Sequence, residues 1–349
     1  MFFSSDNWAG AHPKIAASLS AHASGFEPAY GNGALDAKVS AKFAEVFERD
    51  VAVFFVSTGT AANSLALVAY NKPGGISFGH REAHIIEDEC GAPEYLMGGS
   101  RLHGVDGPAG RMDPEKLKAA VERFVPQSVH SGRPAAISIT QTTEVGTVYD
   151  LAQIDAIAAT AKKHNLPLHM DGARFANALV SLKTTPAEMT WKRGVDVLSF
   201  GGTKNGCWCA EAVIMFDLDR AGEFAFIRKR AAQQLSKSRF VAAQFDAYLA
   251  DGLWLETASH ANAMAAMLAT AIGSSSKVRL AWTQQANEVF AIMSTALMES
   301  LQGHGAHFYD WPLPHGFDGD LTGDEKLCRF VTSFATTQAD IERFAGLIG

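Results

Sequence analysis

The stretch "VDVLSFGGTKNG" (195–206) decides how the chain is read. Its first half, Val195 to Phe200, is apolar but for Asp196 near its start and Ser199, the pattern of a strand buried on both faces. Its second half leaves Lys204 among glycines directly after the strand ends. Lysine is among the residues least often buried without a partner, so this position needs a reason. Three are open: a phosphate contact, an ordinary turn residue pointing into water, or attachment of a covalent cofactor. The P-loop form of the first fails, because the GxxxxGK[ST] spacing is missing.

Working outward, similar units recur on both sides. "DVAVFFV" (50–56) reads as a buried strand that passes through "STGT" into the helical "AANSLALVAY" (61–70). "DPEKLKAAVERF" (113–124) is a helix with Asp113 as cap and Pro114 in its first turn. "AAISIT" (135–140) is the next strand. "LAQIDAIAATAKKHN" (151–165) is a helix with basic residues in its last turns, where they complement the dipole. "LPLHM" (166–170) is a strand ending at Asp171, and "EAVIMF" (211–216) follows "VDVLSF" as a further strand. The alternation predicts an α/β large domain with a mostly parallel sheet. Beyond Arg239 two long helical stretches (239–252 and 253–272) lead into strand, helix, strand, strand and helix, a small C-terminal α+β domain. The expected division is an N-terminal arm and large domain over 1–245 and a small domain over 246–349.

Composition narrows the function. At 349 residues with 47% apolar and 19% charged residues, the chain is long enough for two cores and is not of the disordered class. A net charge of -7 gives no reason to expect nucleic acid as a partner. No stretch approaches the roughly 20 apolar residues of a membrane span. Four scattered cysteines favour a reducing compartment over a disulfide framework. The opening "MFFSSDNWAG" lacks a basic segment followed by an apolar one, and the expected location is cytoplasmic.

In such sheets ligands bind outside the C-terminal strand ends, and three polar clusters fall there: "STGTAAN" (57–63), "MDGARFANA" (170–178) and "FGGTKNG" (200–206). Singly, each has an ordinary reading as helix cap, ion pair or turn. Together they supply what pyridoxal phosphate needs: a helix start for the phosphate, an aspartate for the pyridinium nitrogen and a lysine for the covalent link. "HREAH" (80–84) spaces two histidines for one helical face, but Arg81 follows His80, so HExxH fails and no metal is expected. "CWC" (207–209) is not CxxC and reads as packing.

With these segments in hand, the chain resembles the low-specificity L-threonine aldolases of the fold-type I pyridoxal-phosphate superfamily, the β-eliminating lyase group. The motifs that carry it are "SDN", "YGNG", "STGTAAN", "EAHIIEDECGAPE", "VDGPAGRMDPEKL", "ISITQTTEVGTVY", "LHMDGARFANALVSL", "SFGGTKNG", "SKSRFVAAQFDAYL" and "RFVTSF", in that order along nearly the whole chain. The resemblance implies that Lys204 forms the Schiff base, Asp171 pairs with the pyridine nitrogen, Gly59 and Thr60 hold the phosphate, and His84 stacks on the ring. It implies substrate-carboxylate contacts from Ser5, Arg174 and Arg329, a basic position near the phosphate at Arg239, and His130 near the substrate hydroxyl. It also implies a homotetramer, a dimer of dimers, with active sites between subunits and Tyr30 reaching across. One segment departs from the family: "TQTTEVG" (140–146) stands where E-N-T-H-N-G is common, which changes whatever Glu144 would contact.

The reaction so implied is cleavage of L-threonine, L-allo-threonine and related L-β-hydroxy-α-amino acids to glycine and an aldehyde, with His84 or His130 taking the β-hydroxyl proton. Competing readings are a phenylserine-preferring aldolase, a β-eliminating lyase using the same Lys204 and Asp171, and a catalytically silent ligand-binding protein on the same scaffold. A nicotinamide dehydrogenase is disfavoured, since no GxGxxG opens the α/β region.

Overall fold

The continuous apolar runs pair into one sheet of seven strands in the computed structural model, which describes residues 1–125 and 128–349. The strands are β1 (Ala52–Val56), β2 (Gly75–His80), β3 (Arg101–Val105), β4 (Arg133–Thr140), β5 (Leu168–Gly172), β6 (Val197–Gly201) and β7 (Glu211–Met215). Their order is β1-β7-β6-β5-β4-β2-β3. All neighbours are parallel except β7, which runs antiparallel to both β1 and β6. Strands β1, β6, β5 and β4 therefore all end at the same edge of the sheet.

Two of these strands go beyond the sequence reading. β2, "GISFGH", is buried throughout, yet its glycines, serine and histidine hide the apolar pattern. β3 is an edge strand and largely open to solvent, so it carries no apolar run to recognise.

Alternation along the central strands splits the large core into two layers. Val197, Val213 and Met215 face the helix Gly59–Val68 and Phe224. Leu198, Phe200, Ala212 and Ile214 face the opposite way, into an aromatic cluster of Phe43, Phe47, Phe175, Phe245 and Trp254. Burying one such aromatic side chain is worth about 1.5–3 kcal/mol, so this layer fixes β6 firmly in the sheet.

The helix Arg239–Leu249 ends in a short turn where Asp251 (φ 52°) and Gly252 (φ 72°) take left-handed conformations, and the helix Leu253–Gly273 starts at once. A second sheet follows, all antiparallel, from β8 (Arg279–Leu280), β9 (Glu288–Ser294), β10 (Tyr309–Asp310) and β11 (Glu325–Val331) in the order β10-β11-β9-β8. Its core holds Val289, Phe308, Phe330 and Phe344, joined by Phe3 from the far end of the chain. The first residues thus pack on the second sheet, with the Phe3 N–H donating to the His307 carbonyl (2.8 Å) and the Val331 N–H to the Phe3 carbonyl (2.8 Å). No helix among the described residues is long and apolar enough to cross a membrane.

Candidate active site

The shared strand edge opens into a cleft of about 280 Å³, bounded by the ends of β1, β4, β5 and β6 and by the 3-10 turn Asp6–Trp8. At its floor the helix Gly59–Val68 begins. Thr58 caps it, its hydroxyl accepting from the Ala61 N–H at 3.0 Å. The N–H groups of Gly59 and Thr60 have no acceptor among the described residues, as is usual for the first turn of a helix. They face the cleft, a natural anion seat. A Cβ on Gly59 would meet nothing within 4 Å, so space remains above these donors.

Asp171 lies one residue before the end of β5 and is buried. Its Oδ1 accepts from the Ala173 N–H (3.0 Å) and its Oδ2 from the Asn63 side-chain amide (2.8 Å). The same amide donates to Glu89 (2.8 Å), and Glu89 accepts from His84 Nδ1 (3.0 Å). A hydrogen-bonded chain therefore runs from Asp171 through Asn63 and Glu89 to His84. The bond to Glu89 holds the His84 imidazole above its usual pKa, despite partial burial.

Lys204 lies in the 3-10 turn Thr203–Asn205. Asn205 anchors that turn from below, donating to Tyr248 Oη (2.7 Å) and to the Trp254 carbonyl (2.8 Å). The Lys204 amine makes no hydrogen bond or ion pair with any described residue, and it projects into the cleft. The glycines around it do not serve as space for a ligand. A Cβ on Gly201 would lie 2.7 Å from the Ala173 carbonyl oxygen, and one on Gly202 would lie 2.9 Å from that of Ala210. They allow the ends of β5, β6 and β7 to approach one another. Gly206 supplies a left-handed residue (φ 115°) to close the turn.

Charge is dense here. Arg174 is buried and grips Asp6 through Nε (2.7 Å) and Nη2 (3.1 Å), with its Nη1 3.6 Å from Glu288. Burial works against the Asp6 charge, but Arg174 and Lys204 outweigh it and hold this carboxyl below the usual range. Two other carboxyls move the other way. Burial pushes Glu144 up to about 7 against the pull of His84, Lys204 and Arg174. It also pushes Glu211 up to about 7, although Glu211 accepts from the Thr203 N–H at 3.3 Å.

The cleft brings together six of the residues singled out from sequence: Gly59, Thr60, His84, Asp171, Arg174 and Lys204. Five lie elsewhere. Ser5 caps the turn beside it, accepting from the Asn7 N–H (3.1 Å), and lines a separate groove with Phe2 and Trp8. Arg329 stacks over Trp311 at 3.8 Å and reaches Glu288 at 3.9 Å, so it meets Arg174 only through that carboxylate. Arg239 donates to the Gly25 carbonyl (3.0 Å), and Tyr30 is exposed under Lys229.

His130 also lies outside the cleft of its own chain. It sits with Gly74, Arg101 and Gly132, where β2, β3 and β4 begin, at the opposite edge of the sheet from the cleft. A residue just before a parallel strand cannot reach the chemistry at that strand's far end in the same chain. His80 and His84 do not share a helical face either: His80 ends β2 and His84 starts the next short helix.

Several lining residues escaped the sequence reading: Asn7, Asn63, Thr142, Cys209 and Glu211. Glu144, noted there only as part of a departing segment, comes soon after a parallel strand as Arg174 does.

Comparisons with known proteins agree with this geometry. A family model described as beta-eliminating lyase matches residues 3–296. The chain is 40% identical over 344 residues to the low specificity L-threonine aldolase of Pseudomonas sp. (strain NCIMB 10558), covering 98% of this chain and 95% of that one. It is 42% identical over 342 residues to the protein of the same name from Pseudomonas aeruginosa, covering 98% and 94%. A solved structure of Leishmania major threonine aldolase superposes with a TM-score of 0.91 at 28% identity, over 99% of this chain and 98% of that one.

Proposed function

The chain belongs to the beta-eliminating lyase family, and from that premise we propose that it cleaves L-threonine, L-allo-threonine and related L-β-hydroxy-α-amino acids to glycine and an aldehyde, with pyridoxal 5'-phosphate as cofactor. One observation carries the proposal: an unpaired lysine amine, a strand-end aspartate and an open helix start share a single cleft. The donor set suits this cofactor. Gly59 and Thr60 offer N–H groups to a phosphate, Asp171 offers a fixed carboxylate to a ring N–H, His84 forms a wall for the ring, and Lys204 offers an amine for the covalent link. When bound, the cofactor supplies an electron sink that makes the Cα–Cβ bond of an amino acid breakable.

The chain's own residues do the rest. Arg174, held by Asp6, presents a fixed guanidinium to the substrate carboxylate, and forked, charge-assisted bonds there set the substrate's orientation. Arg329 and Ser5 support that anchor from outside the cleft, Arg329 through Glu288 and Ser5 by capping the turn that holds Asp6. The same proposal includes a homotetramer in which Tyr30 and Arg239 serve a neighbouring copy's cleft; Phe26 and Tyr30 stand exposed on one segment, as an interface would require. A sedimenting monomer would remove that part. A cytoplasmic location fits four free cysteines, and a domain division at 245/246 fits the two separate sheets, with Tyr248, Leu253, Trp254 and Ala258 beyond it still packing in the larger core.

The deciding experiment records the visible spectrum of the purified protein with pyridoxal phosphate while assaying aldehyde release from L-threonine and L-allo-threonine. The expected result is a band that shifts on adding amino acid while acetaldehyde appears, both lost in Lys204→Ala. A band without aldehyde from either substrate would reject the aldolase reading, and no band would reject the cofactor.

A further inference from the structure

We propose that Glu144 is the base that accepts the β-hydroxyl proton of the substrate; the inference rests on the aldolase reading and deepens it. Glu144 sits at the tip of a turn held on every side. Gln141 brackets the loop, donating to the Tyr149 carbonyl (2.9 Å) and accepting from the Tyr149 N–H (2.9 Å). Within it the Thr143 N–H donates to the Thr147 carbonyl (2.9 Å) and the Gly146 N–H to the Thr143 carbonyl (2.9 Å). Gly146 is left-handed (φ 70°), and a Cβ there would lie 2.8 Å from the Glu288 Cβ, so the loop is pressed against the second sheet. Val145 packs among Phe290, Ile292 and Leu327, and its carbonyl accepts from the Trp282 indole (3.0 Å).

The side chain delivered by this rigid loop lines the cleft, yet it makes no hydrogen bond or ion pair with any described residue. A carboxylate that structure alone required would have a partner, as Asp6, Asp171 and Glu89 all do. The charged groups acting on it come from four elements: His84 after β2, Asp171 in β5 with Arg174 just beyond it, Lys204 after β6, and Arg329 in β11. Its affinity for a proton, raised by burial to about 7, is near the value at which a base works best in neutral solution. His84 suits the task less well. Its Nδ1 is committed to Glu89, and that bond favours the imidazolium, which has no lone pair to offer.

The proposed step is balanced. The O–H bond breaks and its proton forms a bond to a Glu144 oxygen, while the O–H electron pair becomes the second bond of the aldehyde carbonyl. The Cα–Cβ pair stays with the glycyl carbon, with the bound cofactor as sink. That carbon later takes up one proton and Glu144 gives one to water, so the cycle is proton-neutral.

The test is Glu144→Gln, which keeps the shape and removes the base. Two reactions are followed on the holoenzyme: acetaldehyde release from L-threonine, and exchange of the glycine α-proton with D2O by NMR, which needs no hydroxyl proton acceptor. Cleavage should fall roughly 10²–10⁴-fold, while exchange and the visible band persist within a few-fold. The kcat/KM profile of wild type should rise with pH through an apparent pKa near 7, a limb absent from the variant and restored in part by Glu144→Asp. In cofactor-free protein, one of two ¹³C-carboxyl signals titrating near neutrality should vanish in Glu144→Gln, while that of Glu211 remains. Full cleavage activity in Glu144→Gln, or equal loss of cleavage and exchange, would overturn the assignment. Absence of aldehyde from wild type would instead overturn the aldolase reading, and this inference with it.

Discussion

Single side chains in this protein are tuned mainly by burial, and His169 shows it outside the cleft. It lies on β5, between β4 and β6, with Nδ1 2.9 Å from Ser138 Oγ and Nε2 2.9 Å from Ser199 Oγ. Burial drives its pKa down to about 4, so the ring is neutral in the folded chain. An unfolded chain takes up that proton near 6.5. The unfolded state therefore binds more protons between these values, and the stabilising contribution present above pH 6.5 is lost as pH falls toward 4. The shift corresponds to a term on the order of 3 kcal/mol. Chemical denaturation of wild type and His169→Gln from pH 7.5 to pH 4 should show a shallower decline in the variant, whatever its stability at the upper end. Parallel declines would mean that other groups govern acid unfolding.

At the scale of elements, glycine substitutions separate packing from ligand binding. Gly201→Ala would set a methyl 2.7 Å from the Ala173 carbonyl oxygen and 2.9 Å from its Cα, forcing β5 and β6 apart where Asp171 and Lys204 face one cleft. A cost of about 1–3 kcal/mol is expected from such overpacking. Gly59→Ala meets open space at a helix start, where alanine is tolerated well, so its cofactor-free form should melt with wild-type stability. Its methyl projects toward the anion seat, and pyridoxal phosphate should bind it several-fold more weakly. Thermal melts and cofactor titrations of both variants would check the pair; a destabilised Gly59→Ala with normal affinity would misplace the seat. The same elements show what was legible. β4, β5 and β6 announce themselves because burial on both faces keeps them mostly apolar, and the ends of β5 and β6 with the residues just beyond supplied Asp171, Arg174 and Lys204. β2 escaped because four of its six residues are glycine or polar, and the antiparallel direction of β7 depends on pairing partners distant in sequence. That His130 lies outside its own chain's cleft was legible from sequence, since it precedes the strand "AAISIT" where Glu144 follows it. Glu89 and Asn63 could not have been paired with Asp171, because only the packing of the helix Gly59–Val68 on the sheet joins them.

Taken as a whole, the molecule ties its two sheets together through its first residues. Phe3 is fully buried in the core of the second sheet, its ring 5.8 Å from Phe344 and 6.1 Å from Phe330 in edge-on contacts. The chain then passes Ser4, whose carbonyl accepts from Arg329 (3.4 Å), and reaches Asp6, which holds Arg174 at the cleft. Packing at one end of this segment thus orients a guanidinium at the other. Phe3→Ala should cost about 3–5 kcal/mol, the range for truncating a buried phenylalanine. Hydrogen exchange should quicken in β9 and β11 while the central strands of the large sheet keep their protection. If the segment orients Arg174 as the ion pair indicates, the variant's KM for L-threonine should rise several-fold, with cofactor affinity nearly unchanged because Lys204, Asp171 and the helix start lie on the large sheet's own edge. An unchanged KM in a destabilised Phe3→Ala would show that Asp6 holds Arg174 without help from the small domain; a matching loss of cofactor affinity would show that both sheets shape the whole cleft.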